Sequence, residues 1–352
     1  MNSISDSYKN KPSHHHIVPL DFKNVHTVPD SHKWENVEPH TSGSVPSIDL
    51  CDPNAKSLIG EACEKWGVFY VTNHGVPTNL FKKVEQEAFR LFNLPTDQKL
   101  GALRLPDGVT GYGMPRTTTY GSKLLWAESF FMIGSPMEHA TQLWPHQTDQ
   151  QTTFCAVMEE CQKEMKRSSG RVMELILESL GLNPEELTWV KPKDGCKEAQ
   201  SVLSLNSYPV CPEPEKAMGL GPHTDTSLLT VLYQSGCTGL QVFRDGIGWI
   251  PVQPVPGALV VNAGDLLHVL SNGRFKNVLH RAVVNNEQHR ISVAHVYGPP
   301  ADVKISPLMK VAGDDDDDHD PPLFSPVTWK EYIYAKSVHY DKALEFIKVT
   351  AE

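Results

Sequence analysis

The sequence predicts an α+β chain whose centre is a double-stranded β-helix, or jelly roll, flanked by helices. Three observations lead there. After Gln200 the chain breaks into eight short apolar segments at regular spacing, separated by turn signals. From Phe154 to Leu180 apolar residues recur at helical intervals. Shorter helical patterns stand on either side, near the N-terminal third and at the C-terminus.

In chain order, residues 1–45 are polar, rich in Pro, Ser and His, and read as a loosely ordered lead in which His14, His15 and His16 form a solvated tract. Val45–Leu50 reads as a short strand, Ala55–Trp66 as a helix, and Val68–Val71 as a buried strand closed by Asn73-His74-Gly75. His74 is expected to make a structural hydrogen bond there. Leu80–Phe92 carries Phe81, Val84, Ala88, Leu91 and Phe92 at three- and four-residue intervals, a helix. Gly111-Tyr-Gly113 reads as a loop, with Tyr112 either lining a pocket or packing. The Phe154–Leu180 helix buries Val157, Cys161, Met165, Val172, Ile176 and Leu180, and Gly181 stops it.

The eight expected strands are Val202–Tyr208, Leu228–Gln234, Gly239–Arg244, Trp249–Val252, Ala258–Asn262, Leu266–Leu270, Asn277–Val284 and Arg290–Tyr297. Asp245-Gly246, Pro256-Gly257 and Asn272-Gly273 are turns between them. A last helix starts at Thr328, where Thr-Trp-Lys-Glu331 forms a capping box, and runs towards Ile347. The five aspartates 314–318 before it read as a solvated loop. This divides the chain into the lead (1–45), an N-terminal region (46–150), a long helix and connection (151–199), a jelly-roll core (200–300), and an acidic loop with the C-terminal helix (301–352).

A net charge of −10 with no basic cluster argues against nucleic acid as a partner. Residues 1–12 have no apolar core of the secretory kind, and the apolar runs, such as Ala258–Val261, are too short to span a bilayer. Seven scattered cysteines without a CxxC pair fit reduced thiols in the cytoplasm, not a disulfide framework or a zinc site. The expectation is a cytoplasmic protein with no membrane partner, its oligomeric state left open.

His223-Thr-Asp225 puts an imidazole and a carboxylate two residues apart, on one face of an extended segment. A second imidazole from a distant strand would complete a facial set of two histidines and one carboxylate, the arrangement that leaves iron(II) open positions for a co-substrate and O2. The downstream candidates are His268, His280, His289 and His295. His268 sits beside a turn, and His289 adjoins Arg290 and so faces the other way. His280 lies on the strand before the Arg290 strand, ten residues ahead of Arg290-Ile-Ser292. There a guanidinium and a hydroxyl share a face, and burying them in a barrel calls for an anionic partner such as a carboxylate. Asn206 and Tyr208 share a face of the first of these strands and could add donors.

Taken together these residues resemble the plant 2-oxoglutarate-dependent dioxygenases over roughly residues 46–345. The resemblance is carried by Trp66-Gly-Val-Phe-Tyr-Val-Thr-Asn-His-Gly75, Asn206-Ser-Tyr-Pro209, His223-Thr-Asp225, Gly264-Asp265, Ser271-Asn-Gly273, His280-Arg281 and Arg290-Ile-Ser292. Within the family, Ser207–Pro214, Ala217–Leu220, Gly239–Asp245, Lys304–Pro307, Gly121–Ser129, Gly134–Pro136 and Leu143–Pro145 are similar to gibberellin 3-beta-dioxygenases. The resemblance implies Fe(II) on His223, Asp225 and His280, and 2-oxoglutarate against Arg290, Ser292, Tyr208 and Asn206. It implies O2 as oxidant, ascorbate as the assay reductant, and a gibberellin hydroxylated at C-3 with release of succinate and CO2. The rivals are a sister oxygenase acting at another gibberellin position or on a flavonoid, and a non-catalytic β-helix binder. A pocket for such a substrate is expected to be mostly apolar, with walls near Val296, Gly111–Gly113 and Trp126. One departure is His295, where the family usually has an apolar residue; by alternation from Arg290 and Ser292 it should point outward.

Overall fold

The computed structural model describes residues 18–115 except 36, 39 and 107, then 123–183, 187, 189–190, 199–308 and 321–349. The N-terminal region runs β1 (Ser47–Asp49), α1 (Ala55–Lys65), β2 (Val68–Thr72), α2 (Thr78–Phe92), α3 (Thr96–Leu100), β3 (Gly111–Gly113), β4 (Glu128–Met132) and α4 (Met137–Leu143). The long helix is α5 (Thr148–Ser179). Then come β5 (Gln200–Tyr208), β6 (Leu220–His223), β7 (Leu229–Gln234), β8 (Leu240–Arg244), β9 (Gly248–Pro251), β10 (Leu259–Ala263), α6 (Asp265–Leu270), β11 (His280–Ala282) and β12 (Arg290–Gly298). The C-terminal part holds β13 (Lys304–Ile305), β14 (Val327–Thr328), α7 (Trp329–His339) and α8 (Ala343–Phe346).

Two sheets make the barrel. The larger has the order β1-β2-β10-β7-β12-β5-β4-β3, and the smaller β6-β11-β8-β9. Strand alternation explains how the larger sheet can be packed on one face and functional on the other. Along β12, Ile291, Val293 and Tyr297 enter the main core, whereas Arg290, Ser292, Ala294 and Val296 face the space between the sheets. β5 repeats this, with Leu203 and Leu205 in the core and Ser204, Asn206 and Tyr208 inward. The buried stripe of α5 (Phe154, Met158, Cys161, Met165, Val172, Ile176) packs in that same core, giving the sheet a helical backing.

Four expectations change. Leu266–Leu270 is part of the helix α6, not a strand; a short run of apolar residues does not distinguish the two, and the turn at Asn272 and Gly273 (φ 50° and 84°) closes the helix through Gly273 N–H to His268 O at 2.8 Å. The eighth strand of the barrel is instead β6, which holds the Gly221-Pro222 pair and shows no clear alternation. Gly111–Gly113 is the strand β3, paired with β4 through Tyr112↔Phe130. In the lead, residues around 22–32 are packed: Phe22 lies edge-on to Trp126 at 4.9 Å, and Val28 is buried beside it. Finally, the Thr328 capping box is present, but the helix it starts ends at His339, where Tyr340 takes φ 55° and α8 follows after a short 3-10 turn. His14–His16 and Asp314–Asp318 lie outside the described residues.

Candidate active site

His223 ends β6 and His280 begins β11, and the two are paired across the antiparallel ladder. Their rings sit 4.2 Å apart, centroid to centroid. Asp225, in the loop after β6, places Oδ1 at 3.7 Å from His223 Nε2 and 3.8 Å from His280 Nε2. The ligand atoms of the three residues lie within 4.8 Å of one another. The strand pairing therefore does what sequence spacing could only suggest: it brings residues far apart in the chain onto one point.

Backbone carbonyls set the imidazoles. His223 Nδ1 lies 2.8 Å from Gly221 O, and His280 Nδ1 lies 3.1 Å from Val278 O. A protonated Nδ1 donating to each carbonyl leaves both Nε2 lone pairs aimed at the centre of the triad. Burial, and then the neighbouring His280, pushes His223 down to about 4, so it is neutral near pH 7. Burial alone would raise Asp225, but His280 and His223, together with the Thr230 hydroxyl and the Lys336 charge, hold the carboxyl below its ordinary range. Asp225 Oδ2 is buried without a hydrogen-bond partner. A buried carboxylate oxygen left unpaired is costly. Two free imidazole nitrogens and this orphan oxygen make a donor set suited to a divalent transition metal, with one side left open.

Of the other histidine candidates, none joins the triad. His268 Nδ1 bonds Phe275 O at 2.6 Å, and His289 Nε2 pairs with Ser207 Oγ at 2.8 Å on the far face of β12. His295 points away from the barrel interior as alternation requires, yet it is wholly buried beneath α5, where Nδ1 lies 2.9 Å from Ser169 Oγ. His74 serves the backbone, through Gly257 O and Val76 N–H.

Arg290 is the second feature. Its side chain is fully buried, and one terminal nitrogen donates to Gln234 Oε1 at 2.8 Å. Nε and the other terminal nitrogen have no partner. Nη2 carries a second N–H beside the one given to Gln234, so the guanidinium keeps N–H groups on each edge with which to grip a carboxylate. Burial pulls its pKa below the usual guanidinium value. Gly239 is required beside it, since a Cβ there would come within 2.8 Å of Arg290 Cδ. Ser292 follows on the same face of β12, and Tyr208 lies under the guanidinium. Asn206 Oδ1 accepts from Ser129 and Ser204 at 2.8 and 3.0 Å, which leaves its amide nitrogen as the donor for the cavity.

These groups line one cavity of about 240 Å³. Its apolar wall includes Val296, as expected, together with Phe131, Leu232 and Leu240. The other two expected walls are corrected. Val109 and Pro115, on either side of Gly111–Gly113, reach the cavity, while Tyr112 turns its hydroxyl to the buried Glu128. Trp126 is buried elsewhere and donates to Pro209 O at 3.1 Å; Phe131 of the following strand β4 lines the cavity instead. Sequence reasoning missed α7, whose Trp329, Ile333 and Lys336 form a further wall. Their spacing of four and three residues on one helix face was the available signal.

Comparison with known proteins agrees with this geometry. Residues 199–299 match the 2OG-Fe(II) oxygenase superfamily, and residues 45–151 match the N-terminal region described as non-haem dioxygenase in morphine synthesis. The chain is 46% identical to gibberellin 3-beta-dioxygenase 3 of Arabidopsis thaliana, covering 99% of this chain and all of the relative. It is 44% identical to gibberellin 3-beta-dioxygenase 1 of Pisum sativum, over 99% and 94% of the two chains. Among solved structures it resembles JOX2 in complex with 2OG, Fe and JA, at 32% identity and a TM-score of 0.75, covering 88% of this chain and 89% of that one. A jelly roll with a two-histidine, one-carboxylate cluster beside a buried guanidinium, matched along nearly its whole length by dioxygenases, belongs to the 2OG-Fe(II) oxygenase superfamily.

Proposed function

We propose that this enzyme hydroxylates a gibberellin precursor at the 3β position. One molecule of 2-oxoglutarate and one of O2 are consumed with each C–H bond converted to C–OH, and succinate and CO2 are released. The observation that carries the reading is the 44–46% identity, over almost the full chain, to curated gibberellin 3-beta-dioxygenases.

In this reading His223, Asp225 and His280 hold Fe(II), which supplies the one-electron and O2 chemistry that side chains lack. The free N–H groups of Arg290 take the distal carboxylate of 2-oxoglutarate, and Ser292, Tyr208 and Asn206 surround it with further donors. Gln234 and the Tyr208 ring keep the guanidinium from turning when the co-substrate is absent. Phe131, Leu232, Leu240 and Val296 give the mostly dry wall that a rigid, largely apolar substrate needs, and exclude water from the reacting carbon.

The five-part division at residues 45, 150, 199 and 300 remains our proposal for the domains. So does a cytoplasmic location without nucleic-acid or membrane partners, supported by the acidic charge and by the six cysteines among the described residues, all unpaired. Among the described residues no helix is long and apolar enough to cross a membrane.

The test is incubation with a gibberellin panel, iron(II), ascorbate and 2-oxoglutarate, with products identified by mass spectrometry. A 3β-hydroxylated product is expected. Turnover of a flavonoid with 3-deoxy gibberellins left untouched would replace the substrate while leaving the oxygenase in place.

A further inference from the structure

Asp225 sits not in a strand but in the loop between β6 and β7, so something other than a ladder must hold it. The Gly264-Asp265 turn at the start of α6 does so. Gly264 N–H donates to Leu228 O at 2.9 Å, Asp265 N–H to Asp225 O at 2.8 Å, and Leu266 N–H to Ser227 O at 3.1 Å. The approach is so close that a Cβ on Gly264 would lie 2.1 Å from Ser227 O and 3.1 Å from Asp225 O.

The side chain of Asp265 then gathers a buried polar hub. Its Oδ2 accepts from Thr224 Oγ1 at 3.0 Å, Tyr332 OH at 2.7 Å and Lys336 Nζ at 2.7 Å, while Oδ1 accepts from Asn277 Nδ2 at 2.6 Å. Lys336 also donates to Thr224 Oγ1 at 2.5 Å. Thr224 is the residue between His223 and Asp225. Its hydroxyl therefore gives one hydrogen bond and accepts another, and both partners are themselves fixed by α6 and α7. Trp329, at the start of α7, adds a bond to Thr226 Oγ1 at 3.3 Å. Asp265 is wholly buried and Lys336 nearly so. A hub of this kind fixes geometry only when each member is satisfied, and here both carboxylate oxygens are.

We propose that Thr224, Asp265 and Lys336 are positioning residues for the metal-ligand loop, with the Thr224 hydroxyl as the link that sets the angle between His223 and Asp225. In this role they act through the two ligands, although Thr224 and Lys336 also border the cavity. The inference rests on His223, Asp225 and His280 being the ligands. Outer partners of metal ligands typically change affinity by roughly 10- to 100-fold.

The test uses the full chain and cobalt(II) alone as probe. Thr224→Val keeps the shape and removes the hydroxyl, whereas Thr224→Ser keeps the hydroxyl. Cobalt affinity is measured by calorimetry, and the ligand geometry by the visible absorption of the bound ion. Thr224→Val is expected to weaken binding by roughly 10- to 100-fold and to shift the absorption band, with Thr224→Ser staying close to wild type. Equal affinity and an unchanged band in Thr224→Val overturn the proposal. So does equal loss in both variants, because packing and not the hydroxyl would then be at work. Should Thr224→Val fail to fold, Lys336→Met is read in the same way against wild type. His223→Ala is the control: if it binds cobalt as wild type does, the ligand assignment falls and the proposal falls with it. If His223→Ala loses the ion but the hydroxyl proves irrelevant, the ligand set stands and only the positioning role is lost.

Discussion

Arg290 and Tyr208 are direct partners in the β12–β5 ladder, and the guanidinium carbon lies 4.9 Å from the centre of the phenol ring. A cation over a desolvated aromatic face is worth up to about 2 kcal/mol. Together with the bond to Gln234, the ring holds the guanidinium with Nε and one terminal nitrogen unspent.

Arg290→Lys keeps the charge and removes the fork. Losing one charge-assisted hydrogen bond costs about 1.5–3 kcal/mol, so the KM for 2-oxoglutarate should rise roughly 10- to 100-fold. Metal affinity should change little. Steady-state kinetics and calorimetry on one preparation check this, and an unchanged 2-oxoglutarate KM would remove Arg290 from the co-substrate site.

Metal binding should stabilise the fold, because the triad forms only in the folded chain. Manganese(II) at 100 times its Kd is expected to add about 2.7 kcal/mol, seen as a rise in Tm that a chelator reverses. Asp225→Ala should abolish the rise. A metal-dependent Tm that persists in Asp225→Ala would point to binding elsewhere.

His295 predicts a pH dependence. Burial pushes its imidazole down to about 3 in the folded chain, against 6.5 as its ordinary value. The unfolded chain therefore binds the extra proton first. The neutral-ring contribution is fully present above about pH 6.5 and is lost as pH falls from there towards 3. The slope for one proton is about 1.4 kcal/mol per pH unit. His295→Gln should flatten the decline between pH 6 and 4 by about that slope, measured by urea unfolding at each pH. His289, pushed down to about 4 by burial, adds a second slope of the same sign, which the His295 variant retains. Identical pH profiles for wild type and variant would contradict this.

Lys99 and Glu128 form a buried ion pair that also takes the Tyr112 hydroxyl. Removing one partner strands a buried charge, so Lys99→Met should cost about 3–5 kcal/mol in urea unfolding. Replacing both, as in Lys99→Met with Glu128→Leu, should recover part of that loss. A double variant less stable than the single one would show that the pair itself is strongly favourable.

Much of this was legible in the order of residues. Alternation along Arg290–Tyr297 and Val202–Tyr208 set which side chains face the barrel, because a strand's period of two leaves no freedom once one residue is placed. The HxD triplet, Arg290-Ile-Ser292 and the Thr328 capping box are local signals of this kind, and each reappears in the fold. Other features depended on contacts between distant segments. The run 266–270 has no periodicity to separate helix from strand, and only its place against Leu228 and the Gly273 turn made it helical. His295 pointed outward by local rule, but whether outward meant water or the underside of α5 depended on where that helix lay. The cavity wall from α7, and the Asp265 hub that joins it to Thr224, unite residues more than a hundred positions apart in the chain. Such pairings are set by how the elements pack in three dimensions, which no local pattern encodes.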